Sequence, residues 1–167
     1  MEEIELTDIE QRELEAFYTA VGFIVVHWSF FETSLDLTAN LVFHEGSGSK
    51  RYKLIPRGPS KLFDFLEDCF SNIPKLQHLQ AKLESLIKEA KRIKKIRDDL
   101  AHGTMESLKF ERGIYRFVKL KNVGRGHIRE QGEFDFNRYP ALSGDLLDLT
   151  KNMQNFCDEL RLYLQEE

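Results

Sequence analysis

A chain of 167 residues with 41% apolar and 31% charged residues can bury a core of its own, and residues 1–167 are read as one domain. Its formal net charge of −4 excludes indiscriminate nucleic-acid binding through overall charge, but leaves room for a local basic groove. The opening Met1-Glu-Glu-Ile-Glu5 is acidic where a secretory signal is basic. No apolar run is read as reaching the roughly 20 residues of a bilayer span, so a cytoplasmic location away from membranes is expected. Cys69 and Cys157 fall in helical patterns and are read as reduced core residues.

The first helix is announced by Thr7-Asp-Ile-Glu10, a capping box in which hydroxyl and carboxylate satisfy orphan backbone N–H groups. Leu14, Phe17, Val21, Ile24, Trp28, Phe31, Leu35 and Val42 then recur at steps of three and four, with Thr38 in the one gap. Phe23, Val25, Val26 and Phe30 widen this stripe, which predicts burial on more than one side. The helix should end near His44. Residues 45–59 read as a loop rich in Gly, Ser and base, with Lys50, Arg51, Lys53 and Arg57. Pro59-Ser60 opens a short second helix carrying Leu62, Phe63, Phe65, Leu66, Cys69 and Phe70, and Asn72-Ile-Pro74 breaks it.

A third helix is predicted from about Lys75 to Ala101. Its seam is Leu76, Leu79, Leu83, Leu86, Ala90, Ile93, Arg97 and Leu100, with Gly103 as the C-cap. Arg97 thus takes a place the pattern reserves for an apolar side chain. Between about 105 and 136 the period changes to alternation in 107–111, 114–121 and 127–136, punctuated by glycines. This predicts a small two- or three-stranded antiparallel unit. Tyr139-Pro140 starts a last helix with Leu142, Leu146, Leu149, Met153, Phe156, Leu160 and Tyr163 at three-four spacing. The expected fold is mostly α: a four-helix-type bundle with a small antiparallel β insertion before the last helix.

The chemistry concentrates in Arg97-Asp-Asp-Leu-Ala-His102-Gly103. A guanidinium grips phosphate oxygens, and an imidazole moves a proton near neutral pH. With 11 Arg and 5 His in the chain, an Arg-x4–6-His spacing arises about once by chance. Its weight comes from its place at the foot of an amphipathic helix. Asp98 stands one turn before His102, within reach to orient the imidazole. Arg97 and His102 point about 140° apart in an ideal helix. Both face one cleft only if the helix loosens at Gly103 or two protomers pool their residues.

Lys88, Lys91, Arg92, Lys94, Lys95 and Arg97 place six cations in ten residues on the approach to the motif. The Lys50–Arg57 loop, Arg51 included, with Lys119, Lys121, Arg125 and Arg129 in the β-rich segment, extends a phosphate-binding track. His27, His44, His78 and His127 lack ligand spacing, so neither a metal nor a cofactor is expected. Ser47-Gly-Ser49 lacks the Gly-Lys-Ser/Thr ending of a phosphate loop. Each feature also has a plainer reading. A basic helix face is often a solvated one, a seam Arg can be a structural ion-pair residue partnered by Glu32, and His102 can cap a helix C-terminus.

An amphipathic helix ending in R-D-D-L-A-H-G within a small α-bundle resembles the HEPN superfamily, whose helical bundles carry Arg-x4–6-His with a polar residue after the Arg, here Asp98. The run Trp28-x-x-Phe31-Glu32-x-x-Leu35 resembles the first helix of small bacterial HEPN-like proteins, and the segment from Phe134 to Leu164 resembles their end. The resemblance implies a metal-independent endoribonuclease in which the ribose 2′-OH attacks the adjacent phosphate, leaving a 2′,3′-cyclic phosphate. It assigns proton transfer to His102 and the scissile phosphate to Arg97, at a homodimer interface. It further implies a toxin or defence setting, with a nucleotidyltransferase-type antitoxin as partner. The alternatives are a noncatalytic HEPN-like RNA-binding or protein-assembly module and a plain helical interaction protein.

Overall fold

The structure, a computed structural model, describes residues 7–105, 113–123 and 126–166, with the backbone alone at 121–123. Four helices are present: α1 (Asp8–His44), α2 (Pro59–Asn72), α3 (Gln80–His102) and α4 (Tyr139–Gln165). Between α3 and α4 lie β1 (Thr104–Met105), β2 (Ile114–Val123) and β3 (Gly126–Asp135), an antiparallel sheet in the order β1-β2-β3. The fold is therefore mostly α with a small antiparallel sheet before the last helix, as the change of period predicts. The expected 107–111 run lies outside the described residues.

Local chemistry sets the boundaries. At the start of α1 the capping box is closed: Glu10 N–H donates to Thr7 Oγ1 (3.3 Å), while Thr7 N–H and hydroxyl both donate to Glu10 Oε2 (2.8 Å). Pro59 starts α2 behind Gly58, whose φ of 85° suits a residue without Cβ. The predicted third-helix start at Lys75 is corrected. Pro74–Leu79 forms a 3-10 turn, and α geometry begins only at Gln80. The predicted seam positions Leu76, Leu79, Leu83, Ala90, Ile93 and Leu100 are buried, while Ile87 joins them and Leu86 is only half-buried.

A second correction concerns α1. Its seam of Phe17, Ala20, Ile24, Trp28, Phe31, Leu35, Ala39 and Val42 is buried, but Val25, Val26 and Phe30 are 40%, 51% and 54% exposed. One face of the helix is covered, and residues one or two positions off the seam point 100° or more away from it. An 18-residue window of α1 has a mean hydropathy of 1.4, long and apolar enough by length and composition to cross a membrane, with 28% of it buried. The expectation that no run reaches that length fails because the apolar residues are not confined to the seam.

The chain clusters into two compact units. One comprises Met1–Val26 and Ile93–Asp145. Its core joins Phe17, Ala20 and Ile24 of α1 to Ile93 and Leu100 of α3, to Leu142, and to the inward face of the sheet. Alternation decides that face: Tyr115, Phe117 and Phe134 are buried, while Arg116 and Glu133 pair on the other side (3.0 Å). Phe17 stacks on Tyr115 with centroids 4.1 Å apart, and the Tyr115 hydroxyl donates to the Glu13 carbonyl (3.4 Å). Phe136 stacks on Tyr139 at 5.5 Å, tying the sheet's exit to the start of α4.

The other unit comprises His27–Arg92 and Leu146–Glu167. Segments of four helices share its core, where Phe31 meets Phe63 (6.4 Å) and Phe70 meets Phe156 (5.7 Å). Trp28 Nε1 donates to Glu32 (2.7 Å), and the buried Thr38 hydroxyl donates to the Ser34 carbonyl (2.8 Å), so both polar atoms are satisfied. Cys69 and Cys157 are free thiols in the core, and burial pushes the Cys69 thiol up to about 11.

Candidate functional site

The motif closes α3. The helix stays regular through His102, and Gly103 N–H still donates to the Asp99 carbonyl (3.0 Å). A Cβ on Gly103 would stand 2.5 Å from that carbonyl oxygen and 2.7 Å from Phe117 Cδ2. The Phe117 ring also lies close over Gly132 of β3, its cross-strand partner. Two glycines and one aromatic ring thus clamp the end of α3 to the sheet. In the sequence Gly103 reads only as a C-cap and Gly132 only as a turn marker.

Arg97 is largely sheltered, its side chain 17% exposed, and Nη1 donates to Asp98 Oδ1 (2.8 Å). Lys94 Nζ donates to Asp98 Oδ2 (2.5 Å). The two carboxylate oxygens therefore serve Arg97 and Lys94. The expected Asp98–His102 bond is not formed, because Lys94, one turn earlier on α3, holds the second oxygen. His102 is exposed and makes no hydrogen bond or ion pair among the described residues. The structure brings Arg97 and Asp98 together and leaves His102 in solvent at the helix end.

Asp99, passed over in the sequence, receives the Lys119 ammonium from β2, and that contact raises the Lys119 pKa above its ordinary value. Lys119 also lies 3.9 Å from Glu130. The hairpin cation predicted to face phosphate is engaged by carboxylates instead.

The basic run behaves similarly. In the His27–Arg92 unit, Lys91 donates to Glu67 (3.0 Å) and Arg92 to Glu89 (2.5 Å), which holds the Glu89 carboxyl below its usual value. Arg51 makes a two-pronged contact with Asp68 (2.9 and 3.0 Å), and Asp68 is lowered chiefly by that bond. Lys88 and Lys95 are exposed without a partner among the described residues. Arg125 lies outside the described residues, as does the side chain of Lys121. Among the described residues no group of three or more His, Cys, Asp or Glu could hold a metal. Two cavities of this unit, a groove of about 530 Å³ beside Phe30 and Leu37 and one of about 140 Å³ beside Glu32 and Asp36, include none of the predicted site residues.

No protein-family model, curated protein or solved structure matches the chain.

Proposed function

We propose that this protein is a metal-independent endoribonuclease of HEPN type, acting through Arg97 and His102. The observation that carries the reading is the contrast at the end of α3: a sheltered guanidinium and, five residues on, a solvent-facing imidazole, on a helix end that the Gly103–Phe117 contact anchors to the sheet. An imidazole side chain can both accept and donate a proton. The neutral His102 imidazole takes the proton of the ribose 2′-OH as that oxygen bonds to phosphorus, and the imidazolium so formed delivers that proton to the departing 5′-oxygen as the P–O5′ bond breaks. Arg97 bears the charge gathering on the phosphate oxygens.

Because α3 is regular through His102, the two side chains of one chain diverge by about 140°. Two protomers related by a twofold axis solve this by facing Arg97 of one with His102 of the other. The proposal therefore includes a homodimer, and RNA as substrate. A toxin or defence role with a nucleotidyltransferase-type antitoxin belongs to the same proposal.

The test is cleavage of mixed-sequence RNA in EDTA by wild type and His102→Ala. A loss of about 10²–10⁴-fold is expected, with unchanged thermal unfolding because His102 is exposed. RNA left intact by wild type across pH 6–9, or cut equally by His102→Ala, overturns it. A noncatalytic RNA-binding or assembly module is the second reading. It is favoured by the engagement of Asp98 with Lys94 and Arg97, which leaves nothing on α3's last turn to orient His102.

A further inference from the structure

The cations of this chain fall into two populations. Along α3 and in the sheet they are mostly spent on carboxylates: Lys91 on Glu67, Arg92 on Glu89, Lys94 on Asp98 and Lys119 on Asp99. The connection from α1 to α2 is different. Residues 46–63, the connection together with the start of α2, hold five cations and not one Asp or Glu. Only Arg51 is paired, to Asp68, while Lys50, Lys53, Arg57 and Lys61 are exposed and make no ion pair among the described residues.

This connection is also held in shape. Gly46 and Gly48 lie against the last turn of α1 so closely that a Cβ on either would stand 2.8 or 2.9 Å from the Val42 carbonyl oxygen. Lys50, Arg51 and Tyr52 N–H groups close a tight 3-10 turn onto Ser47 and Gly48 (2.9–3.1 Å). The Tyr52 ring packs edge-on against Phe65 (4.9 Å), and Arg51 grips α2 through Asp68. The paired arginine and the inward tyrosine act as anchors, and the four remaining cations stand exposed to solvent. A chain of net charge −4 thereby concentrates unneutralised positive charge on one fixed segment. The acidic pair nearby, Glu32 and Asp36, lines the 140 Å³ cavity beside Gly58 and Pro59. That cavity is no place for an anion, which leaves the exposed cations as the segment's anion-facing groups.

We infer that Lys50, Lys53, Arg57 and Lys61 form the contact surface for the phosphate backbone of single-stranded RNA, narrowing the track read from the sequence, which also took in α3 and the hairpin, to this segment. The choice of RNA rests on the function proposed above; the surface itself does not. Pre-positioned cations released from counterions by phosphate produce binding that is steep in salt and indifferent to sequence.

The experiment measures binding of a fluorescein-labelled, mixed-sequence single-stranded oligoribonucleotide by anisotropy, in the uncleaving His102→Ala background. Four phosphate contacts predict a slope of log K against log salt of about −3. Lys50→Gln/Lys53→Gln/Arg57→Gln/Lys61→Gln should weaken binding on the order of 10–100-fold and flatten the slope. A control that removes three cations elsewhere, Lys82→Gln/Lys151→Gln/Arg161→Gln, should change affinity less than about threefold. Should the fourfold variant melt early, Arg57→Gln and Lys53→Gln are measured singly, each expected to reduce the slope by about one.

Loop variants that bind like the parent overturn the inference, as does a control that weakens binding equally. Binding to phosphatidylserine vesicles in place of RNA assigns the surface to a membrane and overturns it too. Because cleavage plays no part in the readout, loss of the nuclease reading leaves this result standing, and the reverse holds.

Discussion

Gly103 shows how one missing side chain positions a site. The position has no unusual φ; what it needs is space, since the Asp99 carbonyl and the Phe117 ring both crowd the place a Cβ would occupy. Gly103→Ala should cost on the order of 1–3 kcal/mol through overpacking against backbone and ring, and should shift His102 with it. Gly144 supplies the contrast, lying inside α4 with nothing within 4 Å of an added Cβ. Gly144→Ala should stabilise by about 0.5–1 kcal/mol, because alanine restricts the unfolded chain and favours the helix. Urea midpoints of the two variants check both signs. Equal shifts would mean that the close approach at Gly103 does not exist.

On the scale of the element, α1 separates covering from apolarity. Phe30 and Phe31 are neighbours of identical chemistry, yet Phe31 is 1% exposed and Phe30 is 54% exposed. Phe31→Ala should cost about 3–5 kcal/mol by opening a cavity against Trp28 and Phe63. Phe30→Ala should stay within about 0.5 kcal/mol of wild type in the isolated chain. Chemical denaturation monitored by Trp28 fluorescence reads both. A large loss for Phe30→Ala would show that this face is covered in solution. The heptad-like spacing of α1 was legible in its sequence, but which additional apolar residues were covered was not, because periodicity names a face and does not count its neighbours.

At the level of the whole molecule the proposed chemistry needs two chains. A mass of 19.6 kDa for one chain makes the prediction simple: light scattering should give about twice that mass at tens of micromolar. Mixing Arg97→Ala with His102→Ala protomers at equal amounts should restore about a quarter of the cleavage of wild type, because half of the dimers are mixed and each regains one of its two Arg97–His102 pairings across the interface. A monomeric mass, or no restoration on mixing, would leave the noncatalytic module as the better account. Such complementation also distinguishes pooled residues from a site contained within one protomer.

Sequence alone determined what local periodicity and turn chemistry control. It located the four helices, the capping box at Thr7, the break at Pro74, the strands after Gly103 and the outlying Arg97 on the third seam. Spacing alone leaves Asp98 two partners one turn away, Lys94 and His102, and the sequence reading points to His102 where the structure pairs Lys94. Only the tertiary structure decided which cations remain available. Lys91 finds Glu67 across 24 positions, Lys119 finds Asp99 across 20 and Arg51 finds Asp68 across 17. No spacing rule reaches that far: such partners meet through the packing of separate elements. The basic run on α3 was therefore visible as composition, whereas the pairing of its cations other than Lys88 and Lys95, and the lack of ion pairs among the described residues at Lys50, Lys53, Arg57 and Lys61, emerged only from the folded chain.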